Sequence, residues 1–250
     1  DFCLSRGLGD VYKRQVGKEI DMIKGLSEYE KYKVLRPVVG EHQLDENGFP
    51  IINKTEFHEK EWQNIGVTGL QNASPKKKND NMVLLMFNYD YRLLNLWNTP
   101  LKKIGLFQSF YAIATPDFSI YPEMNINDIR HNVYMSRWLG KTWQNFGSTV
   151  YPTIGWALPD TYDIVFGGVE KGGIVIISTL GCQNNTEVFL KGFNEMKKRL
   201  TPSLIIVYGD MIEGMTGRFV NYKYSDAFSR ESFQLRIEGI SQVFEIKEAV

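Results

Sequence analysis

The sequence predicts an α/β protein with a mostly parallel sheet of about five strands flanked by helices. Continuous apolar runs at residues 82–87, 174–177 and 204–207 have the length of strands that are buried on both faces. Segments with a helical spacing of apolar residues lie between these runs, and such alternation is typical of parallel sheets. Since only about five strand–helix pairs can be recognised, an open or partial β/α-barrel is favoured over a closed barrel of eight strands.

The first two predicted strands are each followed by an acidic residue. Residues 82–87 form the first strand, which precedes Asp90 and a helix that stops before Pro100. Residues 109–114 form the second strand and end shortly before Asp117. Both carboxylates therefore follow the carboxyl end of a strand.

A long helix is predicted over residues 125–146, because apolar side chains recur there every three or four positions. Gly147 suits the position that follows a helix C-terminus. Ser136 and Gly140 are small residues on the apolar face. We therefore expect this helix to lie close to the sheet.

The remaining strands are predicted at residues 149–156, 173–179 and 203–208. Thr186 can cap a helix whose apolar stripe extends to Leu200. This helix is expected to cover the sheet together with the long helix. The sequence after the fifth strand has a different pattern of apolar and polar residues.

Residues 218–224 and 242–247 alternate apolar and polar side chains. Such alternation is typical of strands with one solvated face. We expect peripheral antiparallel strands near the C-terminus.

Residues 1–15 are interpreted as a non-native leader. Reverse translation of residues 5–15 resembles a sequencing adaptor over consecutive codons, and the chain begins with Asp1. Residues 16–80 are polar and rich in turn signals, so they are predicted to form an irregular extension. Residues 81–250 are predicted to be a single α/β domain.

Composition narrows the classes of partner and compartment. Lys plus Arg and Asp plus Glu both total 29, and this neutral balance is unlike that of proteins that bind nucleic acid mainly through phosphates. No apolar run approaches the ~20 residues that cross a bilayer, so no membrane partner is expected. Cysteine occurs only as Cys3 and Cys182, which favours a reducing, cytoplasmic compartment.

The candidate site is the edge of the sheet where the strands end, because parallel α/β sheets bind ligands there. Polar and aromatic residues follow the predicted strands. The predicted catalytic residues are Asp90, Asp117 and Arg137, and the predicted substrate-binding residues are Ser119, Trp156, Thr179, Cys182 and Tyr208.

Asp90 and Asp117 could act as an acid and a base, or together hold a divalent metal such as Mg²⁺. Each could instead cap the helix that follows it. Arg137 lies between apolar neighbours, so it is expected either to pair with Asp117 or to face a ligand. Cys182 has no histidine placed to activate it, which favours a buried and inert thiol over a nucleophile.

Several short sequence motifs between residues 82 and 209 resemble those of a known family. They include Pro116-Asp117-Phe118-Ser119, Arg137-Trp138-Leu139-Gly140, Val150-Tyr151-Pro152-Thr153 and Ser178-Thr179-Leu180-Gly181-Cys182. In these motifs the chain resembles the phage and bacterial family of domain of unknown function 4417 (DUF4417). The chain departs from the family pattern at Gly155, where a small hydroxyl residue is usual, and at Gly167, where the family is more often acidic.

The resemblance implies a prokaryotic or phage setting, often on mobile elements, and carries no activity over. One hypothesis is therefore an enzyme with a carboxylate site for a phosphate- or sugar-bearing substrate, with a divalent metal as its candidate cofactor. The other is a non-catalytic module that binds nucleic acid or protein. The phage setting makes nucleic acid a more plausible partner than the neutral charge suggests.

Overall fold

The computed structural model describes residues 27, 33–38, 40–224 and 243–246. The predicted leader, residues 1–15, lies outside these residues. The chain divides into two compact units, residues 1–42 and residues 43–250, and everything below concerns the second unit.

The first part of the sheet has four parallel strands in sequence order. They are β1 (Gly66–Gly69), β2 (Met82–Leu85), β3 (Ala112–Ala114) and β4 (Val150–Tyr151). Strand β1 lies in the segment for which the sequence predicts no strand. Its sequence offers one large apolar residue, Val67, between glycines, which is too little for periodicity to detect.

The second part of the sheet holds β5 (Ile174–Ser178), β6 (Leu204–Tyr208), β7 (Gly217–Tyr222) and β8 (Val243–Ile246). Strands β5, β6 and β7 are parallel, and β8 pairs antiparallel with β7. The predicted α/β class with a mostly parallel sheet is therefore confirmed, as is an antiparallel strand near the C-terminus.

The two parts of the sheet join through the segment that follows β4. The backbone N–H of Ile154 donates to the carbonyl of Ile176 at 2.8 Å, and the N–H of Ile176 donates to the carbonyl of Pro152 at 2.9 Å. Strands β1 to β7 thus follow one another from neighbour to neighbour in chain order.

The joined sheet is strongly curved. Phe87, after β2, stacks on Tyr208 of β6 with ring centroids 4.9 Å apart, although three strands separate β2 from β6 in sheet order. Tyr222 of β7 donates a hydrogen bond from its hydroxyl to the carbonyl of Ile65, just before β1, at 2.6 Å. A flat sheet could not make these contacts, so the strands form a barrel-like wall.

Helices alternate with the strands. They are α1 (Asp90–Asn98), α2 (Ile104–Phe107), α3 (Ile126–Asn145), α4 (Tyr162–Val165) and α5 (Thr186–Leu200). Helix α3 agrees with its prediction, and Gly147, the predicted end signal, adopts a φ of 91°. At the other end the Asn125 side chain caps the helix by accepting a hydrogen bond from the N–H of Asn127. At α5 the cap position is Asn185 instead of the expected Thr186.

Helix α3 packs closely on the sheet, as its small residues predict. A Cβ on Gly140 would lie 2.5 Å from Cγ2 of Thr115, the residue after β3. The hydroxyl of Ser136 donates to that of Thr115 at 3.0 Å. The backbone that leads from β3 to Asp117 is therefore held directly by α3.

Candidate functional site

A cavity of about 940 Å³ lies where β2, β3, β4 and β5 end. Its walls come from the segments at residues 87–92, 117–122, 154–157 and 178–185. The predicted site residues that line it are Asp90, Asp117, Ser119, Trp156 and Cys182. Consecutive parallel strands place their carboxyl ends at one edge, which explains why residues so far apart in sequence meet there.

Asp90 connects two of these segments. It occupies the first turn of α1, where its Oδ1 accepts a hydrogen bond from the N–H of Ser119 at 3.1 Å. The residue at the N-cap of α1 is Tyr89, and Asn125 caps the helix that follows Asp117. Helix capping therefore explains neither carboxylate.

The carboxyl group of Asp117 has a strongly raised pKa. Burial raises its pKa from 3.8 to about 7, and the negative charge of Asp90 adds to this effect. Near neutral pH its protonated and ionised forms are both populated. Such a group can both donate and accept a proton.

Gly155 leaves space beside Asp117. A Cβ at this position would lie 3.9 Å from Oδ1 of Asp117 and 3.7 Å from Cδ1 of Ile120, which are ordinary contact distances. A small side chain such as that of serine would therefore fit beside the carboxylate here.

Trp156 forms part of the cavity wall against α5. Its ring lies 5.0 Å from that of Phe189, and a Cβ on Gly192 would overlap the indole. Only a glycine at position 192 lets the helix approach the indole this closely.

Cys182 lies in the turn after β5. It is half-buried and lines the cavity, with Sγ 3.7 Å from the carbonyl of Leu180. Burial raises the pKa of the thiol, and the charge of Asp117 raises it further. The thiol keeps its proton at neutral pH, which favours the inert role over that of a nucleophile.

Thr179 and Tyr208 lie behind the cavity surface. The Thr179 hydroxyl donates to the carbonyl of Asp210 at 2.7 Å. Tyr208 is fully buried, and it supports two lining residues by stacking on Phe87 and by donating its hydroxyl to the carbonyl of Tyr224 at 3.3 Å. Their predicted role as substrate contacts stays a prediction, and their observed contacts are within the protein.

The expected pairing of Arg137 with Asp117 is wrong. Arg137 is 2% exposed, and its guanidinium donates to the carbonyls of Thr153, Val165 and Gly167 at 3.0, 2.9 and 2.9 Å. Burial lowers the pKa of Arg137 to about 10, an effect that the charge of Asp45 opposes. Three carbonyls satisfy the guanidinium without a direct carboxylate partner, so Arg137 holds loops together away from the cavity.

Asp45, for which the sequence predicts no role, is half-buried and completes this arrangement. Its Oδ2 accepts from the N–H of Gly168 at 2.7 Å, and its Oδ1 accepts from the N–H of Phe49 at 2.8 Å. A Cβ on Gly167 would lie 2.6 Å from Oδ2 of Asp45, so the carboxylate occupies the space of a side chain at that position. The Asp-Glu-Asn-Gly turn was the only sequence signal for this residue.

The cavity also has an aromatic rim, whose residues are not among the predicted site residues. Tyr89, Tyr91 and Tyr121 line the cavity and are 69%, 64% and 59% exposed. The sequence signal that could have predicted this rim is the group of Tyr89, Tyr91 and Arg92 around Asp90. A group of exposed aromatic side chains beside a cavity is typical of an interaction surface.

Among residues 40–224 and the other described positions, no three His, Cys, Asp or Glu side chains are grouped to hold a metal ion. Within the same described residues, no helix is long and apolar enough to cross a membrane.

The mostly parallel sheet, its flanking helices and the cavity at the carboxyl ends of its strands define an α/β protein. The chain belongs to the family described as Domain of unknown function (DUF4417), whose model matches residues 45–224. This match confirms the predicted family and is wider than the predicted family core of residues 82–209.

Two phage proteins are similar to the chain. The Gene 1 protein of Mycobacterium phage D29 is 38% identical over 129 residues, which cover 50% of this chain and 48% of that protein. The Gene 1 protein of Mycobacterium phage L5 is 37% identical over 131 residues, covering 51% and 57%. The chain thus spans about half the length of these curated relatives. No solved structure matches it.

Proposed function

We propose that this chain is an enzyme in which Asp117 acts as a general acid or base on a substrate bound in the cavity. The observation that carries the proposal is a cavity-lining carboxyl group with a pKa of about 7, next to a second carboxylate. Proton transfer is most efficient when the pKa of the catalytic group lies near the working pH. Strongly perturbed carboxyl groups in clefts also cluster at functional sites.

The charges around the cavity favour a substrate with a hydroxyl-bearing part, such as a sugar, near Asp117. The charged side chains among the described lining residues are Asp90, Asp117 and Arg92. A phosphate next to both carboxylates would be repelled, whereas a hydroxyl group can donate to an ionised carboxylate or accept from a protonated one. Any phosphate of the substrate would bind on the side of Arg92.

The alternative is a non-catalytic binding module in phage or mobile-element biology. Its specific support is the exposed rim of Tyr89, Tyr91 and Tyr121, which presents aromatic surface without needing a proton-transfer group. A binding module predicts that ligand affinity does not depend on the protonation of Asp117.

A thermal-shift screen of the full chain distinguishes the enzyme from the binding module. Sugars, sugar phosphates, nucleotides and divalent metals are tested at pH 5.5, 7 and 8.5, because a ligand that binds the folded state raises the unfolding midpoint. We expect a stabilising ligand that is turned over by the wild type and not by Asp117→Asn. Unchanged ligand stabilisation in this variant, with no turnover by the wild type, would favour the binding module.

A further inference from the structure

The start of α1 presents an aromatic and cationic surface at the cavity. The rings of Tyr89 and Tyr91 stack with centroids 5.7 Å apart and planes 14° from parallel. The Arg92 guanidinium lies 5.8 Å from the Tyr89 ring and 5.6 Å from the Tyr91 ring, and its Nε donates to the Tyr91 hydroxyl at 3.1 Å. We call these three residues the tyrosine–arginine rim.

The exposure of this rim needs an explanation. Both tyrosines remain more than half exposed, although their rings and the guanidinium are already arranged against one another. An ordered aromatic pair offers a flat π surface, on which a planar aromatic group stacks with little further loss of side-chain freedom. A guanidinium beside that surface is suited to a phosphate.

One class of ligand contains all the chemical groups that suit the rim and the cavity. A nucleotide has an aromatic base, a sugar with hydroxyl groups and a phosphate. The rim matches the base and the phosphate, and Asp117 matches a hydroxyl group. The neutral net charge disfavours a long contact with a duplex, since such contacts need many basic residues.

We propose that the tyrosine–arginine rim binds one nucleotide unit, with its base stacked on the tyrosines and its phosphate on Arg92. The unit is either a free nucleotide or part of a single strand. This inference rests on the proposed function for the cavity and names its substrate class.

Calorimetry of the full chain tests the proposal with a nucleoside monophosphate, the same nucleoside, ribose 5-phosphate and a short oligonucleotide. We expect the monophosphate to bind more tightly than ribose 5-phosphate. Tyr91→Leu should weaken nucleotide binding roughly tenfold, the usual scale for loss of one base–aromatic stack. It should weaken ribose 5-phosphate binding less, because that ligand loses only the hydrogen bond that positions Arg92. Arg92→Gln should weaken the monophosphate and leave the nucleoside unaffected.

The chain offers a matched control outside the cavity. Arg218 lies over the ring of Phe57 at 5.3 Å, which is the same kind of cation–π contact. Phe57→Leu and Arg218→Gln should therefore bind the nucleotide like the wild type. Tighter binding of the oligonucleotide than of the monophosphate would identify a single strand as the source of the nucleotide unit. Tighter binding of the monophosphate would identify a free nucleotide, and both results agree with the proposal.

The proposal is overturned if neither the monophosphate nor the oligonucleotide binds. It is also overturned if ribose 5-phosphate binds as tightly as the monophosphate, or if the control variants weaken binding as much as the rim variants. Failure of the acid–base role has a different signature: Asp117→Asn would turn over nucleotide substrates like the wild type, while Tyr91→Leu still loses affinity.

Discussion

The carboxylate of Asp90 accepts a hydrogen bond from the backbone N–H of Ser119 at 3.1 Å, and this bond joins the segments that follow β2 and β3. It holds the negative charge of Asp90 against the segment that contains Asp117. Because a nearby like charge disfavours ionisation, this contact contributes to the raised pKa of Asp117.

Replacing Asp117 by Asn should change how the free energy of unfolding depends on pH. The pKa of Asp117 rises from 3.8 to about 7 on folding, so the folded state binds more protons in this interval. The contribution of Asp117 to stability is fully present below pH 3.8 and is lost as the pH rises through about 7. Asn cannot ionise, so Asp117→Asn should be more stable than the wild type at pH 8, by up to about 4 kcal/mol for a pKa shift from 3.8 to about 7.

Urea unfolding at pH 5 and pH 8 measures this difference. Asp90→Asn is the companion variant, because its amide oxygen can still accept from Ser119 while the charge is removed. It should lower the pKa of Asp117. If wild type and Asp117→Asn show the same pH dependence, Asp117 ionises as an ordinary aspartate.

Gly155→Ser should lower the pKa of Asp117. The new Cβ fits without overlap, and its hydroxyl can donate to the ionised Oδ1, which favours the charged form. Carbon-detected NMR titration of the Asp117 carboxyl group measures the shift. Gly155→Ala is the matched control, since it adds the Cβ without a donor and should not lower the pKa.

Arg137→Ala should destabilise the fold. It leaves three carbonyls without their donor and removes a buried side chain that fills space, so a loss of about 3 kcal/mol or more is expected. Arg137→Lys keeps the charge but cannot direct donors to three separate carbonyls, so it should recover only part of this loss. Chemical denaturation tests both variants, and a loss below ~0.5 kcal/mol for Arg137→Ala would contradict the structural role.

Gly192→Ala should displace Trp156 and shift its fluorescence. The added methyl group overlaps the indole, and overpacking of this kind typically costs about 1–3 kcal/mol. Gly105→Ala in α2 is the control, because a Cβ there has no other atom within 4 Å. That control should leave the fluorescence and the stability close to those of the wild type.

Local sequence signals predicted α1, α3 and α5, but not the four-residue helices α2 and α4. The residues that end a helix act through the backbone next to them. Asn125 caps α3 through a hydrogen bond to a residue only two positions away, and Gly147 adopts its positive φ without distant partners. Strand β1 escaped prediction since four residues with one large side chain carry no periodicity. This segment forms a strand because its backbone pairs in parallel with the edge of β2.

By itself the sequence determined the α/β class, the family and the gathering of Asp90, Asp117, Ser119, Trp156 and Cys182 at one edge, because parallel strands in chain order bring their carboxyl ends together. Only the tertiary structure decided that Arg137 bonds to backbone carbonyls and that Asp45 fills the space beside Gly167. A buried guanidinium requires partners, but the sequence cannot say which carbonyls the folded loops will bring to it. The same holds for the pKa of Asp117, which depends on burial and on a charge that lies 27 positions away in sequence.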